Sequence, residues 1–138
     1  MSWLDNQHLA LSEVIGYTGD EGIIILIYML SQGFAVMTRW FVSRHPGAIE
    51  WAARQKLSVD RFVPHLNVSD VQSGDCVYGT LPMELAAEVC RRGARFFSLC
   101  MNVTKEQRGC DLTAEALFQM NARLREYHII ELEHDNDI

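Results

Sequence analysis

The chain has 138 residues and a mass of 15.7 kDa, one domain's worth, enough to bury roughly two thirds of its unfolded surface without disulfides or a structural metal. With 49% hydrophobic and 22% charged residues, 9 Gly and 3 Pro, it is neither disordered nor low-complexity. A formal charge of -6 argues against a general coat for long nucleic acid, whose affinity rests on Lys and Arg. That charge is uneven. All 12 basic residues lie from Arg39 onward, while four acids precede Met37 and four (Glu131, Glu133, Asp135, Asp137) occupy the last eight positions. The middle of the chain is therefore mildly basic, which leaves room for a small ligand carrying several phosphates.

Residues 1–36 read as an N-terminal extension to a single domain over 37–138 that ends in an acidic tail. The apolar run from Gly22 to Leu30 follows Asp20 and Glu21, so it lacks the basic leader of a signal peptide. It stops at Ser31, well short of the roughly 20 apolar residues of a spanning helix. It reads as a buried strand or short core helix, unless Met37 is the native start and the extension is not native. No membrane contact is expected.

From Met37 strand and helix signals alternate. Trp40 to Ser43 is an aromatic and β-branched strand, closed by Arg44-His45-Pro46-Gly47. Pro46 suits the first position of a helix, which runs on through Ala48 to Lys56 with Ile49, Ala52 and Ala53 on one face. Arg61 to Leu66 is a short extended piece, and Pro64 marks it as an edge strand. Cys76 to Gly79 is a buried strand, and Thr80-Leu81-Pro82 opens a helix with Leu81, Leu85 and Val89 one turn apart, stopped by Gly93. Arg95 to Val103 is the next strand. Thr113 caps a helix over Ala114 to Arg125, and Tyr127 to Leu132 is the last strand. The order β-α-β-β-α-β-α-β predicts an α/β sandwich with a mostly parallel sheet, whose ligands gather at the carboxyl ends of the strands.

Three turns then open on that edge. Arg44-His45-Pro46-Gly47 sets a permanent cation and an imidazole at a helix N-terminus, a natural anion site, or else an Arg paired with an acid and a His closing a loop. Gly79-Thr80-Leu81-Pro82 repeats the geometry with a hydroxyl, or simply makes a turn. Lys105 and Arg108 sit in the polar loop after the strand ending near Val103, within reach of a ligand or merely solvated. The four cysteines, 14, 10 and 10 residues apart, form no C-x-x-C pair, so no zinc site is expected; reduced thiols fit a cytoplasmic protein. No paired carboxylates suited to a metal, Walker loop, G-x-G-x-x-G or G-x-S-x-G is present. No metal or cofactor is expected.

The strings Arg44-His45-Pro46-Gly47-Ala48-Ile49-Glu50-Trp51 and Gly74-Asp75-Cys76-Val77-Tyr78-Gly79-Thr80-Leu81-Pro82, followed by Arg108-Gly109, resemble a family of small CRISPR-associated accessory proteins of type III systems. The likeness covers about residues 37–130 and points to ring nucleases, which bind and cleave cyclic tetra-adenylate. It implies a small Rossmann-like, CARF-like domain, a homodimer holding the ring across its two-fold axis, and metal-independent cleavage. Carried onto this chain, Arg44 and His45 become the catalytic residues, and Ser43, Gly47, Gly79, Thr80, Leu81 and Arg108 bind the ligand. The alternative functions are a sensor or sponge that binds the ring without cutting it, or a structural subunit of a CRISPR assembly.

Overall fold

The computed structural model describes residues 8–10, 23, 24, 27, 28, 31 and 35–133. Strand β1 (His8–Ala10) runs parallel to β2 (Ala35–Met37) in a two-stranded ladder apart from the main sheet. Between them Ile23, Ile24, Ile27 and Tyr28 are helical and exposed, so at these four positions the apolar run is not core. The rest of that run, and Asp135 and Asp137 of the acidic tail, lie outside the described residues.

The main sheet holds β3 (Arg39–Val42), β4 (Arg61–Val63), β5 (Cys76–Gly79), β6 (Arg95–Cys100) and β7 (Arg123–Tyr127), in the order β4-β3-β5-β6-β7. The first four in that order are parallel; β7 is antiparallel to β6. Helices α1 (Pro46–Arg54), α2 (Met83–Arg91) and α3 (Ala114–Gln119) complete the expected α/β order. This is a small Rossmann-like fold. Its strand order reverses direction between β3 and β5, the topological switch point at which such folds open a crevice.

Period-two alternation splits the central strands between two cores. Trp40, Val42, Val77 and Phe96 join Ala86, Val89 and Cys90 of α2, whereas Phe41, Cys76, Tyr78 and Leu99 join Ala48, Trp51 and Ala52 of α1 and Ala114 and Leu117 of α3. On α1 the buried face is Ala48, Trp51 and Ala52 rather than Ile49, Ala52 and Ala53, because the large indole at 51 selects which stripe turns inward; Ile49 is 36% exposed. Burial also pushes the Tyr78 phenol up to about 12, with Cys76 beside it as the second cause. All four cysteines are free thiols, and no helix among the described residues is long and apolar enough to cross a membrane.

The C-terminal third departs from expectation. Thr113 does cap α3, accepting a hydrogen bond from Ala116 N–H at 3.1 Å, but the helix ends at Gln119 rather than Arg125. Asn121 takes a left-handed φ of 54° and turns the chain back, after which Arg123–Tyr127 pairs with β6 along five residues. Pairing and burial of Leu124 outweigh helix propensity there. The expected final strand over Tyr127–Leu132 therefore keeps only its first residue. Beyond it the chain lies along α2: Ile129 N–H donates to Cys90 Sγ at 3.4 Å, and Arg91 pairs with Glu131 at 3.0 Å. Strand β6 stops at Cys100, three residues before Val103.

One buried polar group ties the sheet together. Asp75, 1% exposed, accepts from Thr38 N–H (2.9 Å) at Oδ1, and from Trp40 Nε1–H (3.1 Å) and Gln72 N–H (2.9 Å) at Oδ2. Removing the carboxylate strands one buried and two part-buried donors, at a cost of about 1–3 kcal/mol for a fully buried one. Asp75→Ala is accordingly expected to lose about 3 kcal/mol or more in urea denaturation, and Asp75→Asn, whose amide turns a donor toward donors, nearly as much. A loss under about 1 kcal/mol for both would contradict this account.

Candidate functional site at the sheet switch point

The site is built where β3 and β5 end side by side. Val42 lies opposite Gly79, and Thr80 N–H donates to Val42 O at 3.4 Å, so the two following turns leave the sheet as neighbours. Gly79 is required there. Its φ is +127°, and an added Cβ would fall 2.2 Å from Val42 O. On the other side Ser43 N–H donates to Val63 O at 3.0 Å, which fixes the first turn against β4.

Within the first turn, Ser43 Oγ accepts from His45 N–H at 3.1 Å, and His45 O accepts from Ala48 N–H at 3.0 Å. His45 thus caps α1 through its backbone, while its imidazole makes no capping bond and is exposed. Arg44 is exposed and has no hydrogen bond or ion pair with any described residue. Of the second turn, Thr80 is exposed, whereas Leu81 packs against the core on the α2 face. The switch point therefore gathers Ser43, Arg44, His45, Gly47, Gly79 and Thr80, with Leu81 as their support.

The third element is the loop from Met101 to Thr113. It holds a 3-10 turn, Lys105–Gln107, in which Gln107 Oε1 accepts from Thr104 N–H at 3.0 Å. Its far end lies directly on α1: a Cβ on Gly47 would meet Leu112 O at 1.9 Å. Only glycine permits that approach. Arg108 lies in the exposed outer part of this loop, with no hydrogen bond or ion pair joining it to either turn among the described residues.

The concavities nearby carry the wrong charge for a phosphate. A cleft of about 410 Å³ beside His45 and Gly47 is lined by Glu50, Asp111 and Glu115. Glu115 is held below the usual carboxylate range by a hydrogen bond from its own backbone N–H and then by Arg54, which bridges Glu50 (2.6 Å) and Glu115 (3.0 Å). A second cleft, about 370 Å³, is lined by Glu84, Glu88 and Glu131 around Arg91. An anion is therefore favoured on the β5 side of the α1 N-terminus, over the open strand ends. Among the described residues no group of three or more His, Cys, Asp or Glu is placed to hold a metal ion.

Strand pairing brings Arg125, which the sequence pattern assigns to a helix, into the row of Gly79. Gly79 lies opposite Ser98, and Ser98 opposite Arg125. The usable signals are Asn121, a residue tolerant of the left-handed turn, and the period of two in Arg123-Leu124-Arg125-Glu126-Tyr127.

A family model described as "Putative CRISPR-associated protein (Cas_VVA1548)" matches residues 40–130, which hold the five-stranded sheet except Arg39, helices α1, α2 and α3 and the three turns. The chain belongs to this CRISPR-associated family. No curated protein and no solved structure matches it.

Two glycines of left-handed φ differ in what a side chain would meet. Gly79→Ala combines that φ with a backbone clash and is expected to cost about 3 kcal/mol or more. Gly109→Ala, at φ +81° but in open space, is expected to cost about 1 kcal/mol. Thermal denaturation of the two variants checks the ranking; equal losses would contradict it.

Proposed function

We propose that this chain is a metal-independent ring nuclease that opens cyclic tetra-adenylate into linear di-adenylate and so switches off type III CRISPR signalling. The observation that carries the reading is the meeting of Arg44, His45 and Thr80 at the β3–β5 switch point, in a chain that belongs to a CRISPR-associated family. A guanidinium beside a helix N-terminus, without a partner among the described residues, suits a phosphodiester, and the acidic clefts on either hand favour placing it there.

In this mechanism the ribose 2′-oxygen attacks the adjacent phosphorus as the P–O5′ bond breaks. The 2′-proton leaves to a base and the departing 5′-oxygen takes up a proton, so no water is consumed. Each cut leaves a 2′,3′-cyclic phosphate, and two cuts give two di-adenylates. Turning the linkage in line supplies most of the acceleration. Arg44 neutralises the charge developing on the non-bridging oxygens, and His45 moves a proton. Thr80 and the Gly47 backbone position the ligand, with Ser43 shaping the turn. Because a ring of four identical nucleotides has two-fold symmetry, a homodimer presents each turn twice to equivalent phosphates.

Incubation of the protein with radiolabelled cyclic tetra-adenylate in EDTA is expected to yield di-adenylate. Binding without cleavage would assign a sensor or sponge instead. Arg44→Ala is expected to slow cleavage about 100-fold or more with an unchanged circular dichroism spectrum; near-normal cleavage would return the first turn to a structural role. Calorimetric titration with an uncleavable ring is expected to give one ring per two chains, and one ring per chain with a monomer by light scattering would overturn the two-fold arrangement.

A further inference from the structure

The face of the sheet that carries α2 is unevenly covered. Both α1 and α3 pack on the opposite face, so of α1, α2 and α3 only α2 lies on this one. The side chains of β6 and β7 on this face follow from parity. Leu124 packs into the α1–α3 core and Glu126 pairs with Arg95 (2.6 Å) beside Phe97 on that same side. Arg123, Arg125 and Tyr127 therefore face the α2 side, opposite Cys100, Ser98 and Phe96 respectively.

Those six positions include two arginines and no carboxylate. Arg123 is held by Asn102 Oδ1 (3.3 Å) and Asn121 O (3.0 Å). Arg125 is exposed and makes no hydrogen bond or ion pair with any described residue, and the half-buried Ser98 hydroxyl likewise has no partner among them. The row Val42, Gly79, Ser98, Arg125 crosses the sheet one strand apart at each step, from the carboxyl ends of β3 and β5 into the interior of β6 and β7. Arg125 thus stands about 10 Å from Gly79 at the ordinary strand spacing. Gly79 carries no side chain to stand between Ser98 and the turn at Thr80.

We propose that Ser98 and Arg125, with Arg123 beside them, form a second anion subsite that holds another phosphodiester of the ligand bound at the switch point. This rests on the reading of that ligand as a cyclic oligonucleotide. A ring with several phosphates needs more than one cation per chain, and neither acidic cleft supplies it. Outside the first turn, Arg125 is the exposed guanidinium that strand pairing sets in the row of Gly79. The competing role is that of an edge-strand charge that only discourages sheet-to-sheet association.

The test is binding of 2′-deoxy cyclic tetra-adenylate, which lacks the attacking hydroxyl, measured across a salt series for the wild type, Arg125→Ala, Arg125→Lys and Ser98→Ala. Arg61→Ala, on the opposite edge strand, serves as the control. Arg125→Ala is expected to bind about 10-fold or more weakly, with the slope of log affinity against log salt shallower by about 0.7 for each phosphate left without its cation. Arg125→Lys should keep the slope but lose part of the affinity, since the charge stays and the fork is gone. Ser98→Ala should lose affinity without changing the slope, and Arg61→Ala should match the wild type. Wild-type affinity and slope in Arg125→Ala would overturn the subsite, as would a fall in affinity with the slope unchanged. Failure of the wild type to bind the ring would instead overturn the reading of the ligand, and the subsite with it.

Discussion

The carboxylate of Asp75 is the constraint on which the rest of the sheet depends. It sits at the amino ends of the parallel strands and receives donors from β3 (Trp40), from the residue before it (Thr38) and from the approach to β5 (Gln72). A buried charge is costly unless its lone pairs are filled, and three donors fill them. Each donor lies on or beside one of two neighbouring strands, so satisfying the carboxylate also fixes how those strands align. Backbone bonds extend the tie: Cys76 N–H donates to Thr38 O at 3.0 Å, and Arg95 N–H to Asp75 O at 2.9 Å. Thus one residue, through its carboxylate and its backbone carbonyl, sets the starting level of β3, β5 and β6.

That alignment reaches the opposite edge because the strands between are short and rigid. Four residues after the Asp75 anchor, Val42 and Gly79 meet closely enough that a side chain at 79 has no room. The same economy recurs at Gly47, where the third loop rests on α1. The motif Gly74-Asp75-Cys76-Val77-Tyr78-Gly79-Thr80 therefore sorts by position. Asp75 fastens one end, Val77 and Tyr78 fill the two cores, Gly79 permits the close approach, and Thr80 reaches solvent. In the first motif, likewise, Ala48 and Trp51 are buried while Arg44 and His45 are exposed. Much of each motif is scaffold that carries a few free groups.

This division explains what is legible in the sequence. Up to Gly93 the breakers are unambiguous: Pro46, Pro64, Pro82 and Gly93 each end or open an element where local chemistry demands it, and the structure follows them. The two turns at the switch point are legible for the same reason. After Arg95 no proline occurs, and the residues from Ala114 to Arg125 satisfy a helical stripe as well as a strand's alternation. Long-range pairing with β6 decides between the two, and local sequence does not encode it strongly. The role of Asp75 is hidden differently: its partners are backbone groups and an indole 35 residues away, and no spacing rule marks them.

The choice between helix and strand after Asn121 has a specific consequence. A helix extended to Arg125 places Arg123 and Arg125 on a solvated surface with no relation to the switch point. A strand places Arg125 by register in the row that contains Gly79 and Arg123 opposite Cys100, and its antiparallel sense brings its amino end to the carboxyl end of β6. Electrostatics then gives the edge a direction. Carboxylates line both clefts beside the helices, while the guanidinium groups of Arg44, just past the end of β3, and Arg125, in the middle of β7, are unpaired among the described residues. On the proposed reading, the carboxylates repel an anionic ligand from the clefts and the guanidinium groups draw it to the sheet along this row. The grouping of these charges is in this sense a property of the strand order, because the same residues in another order would leave them scattered.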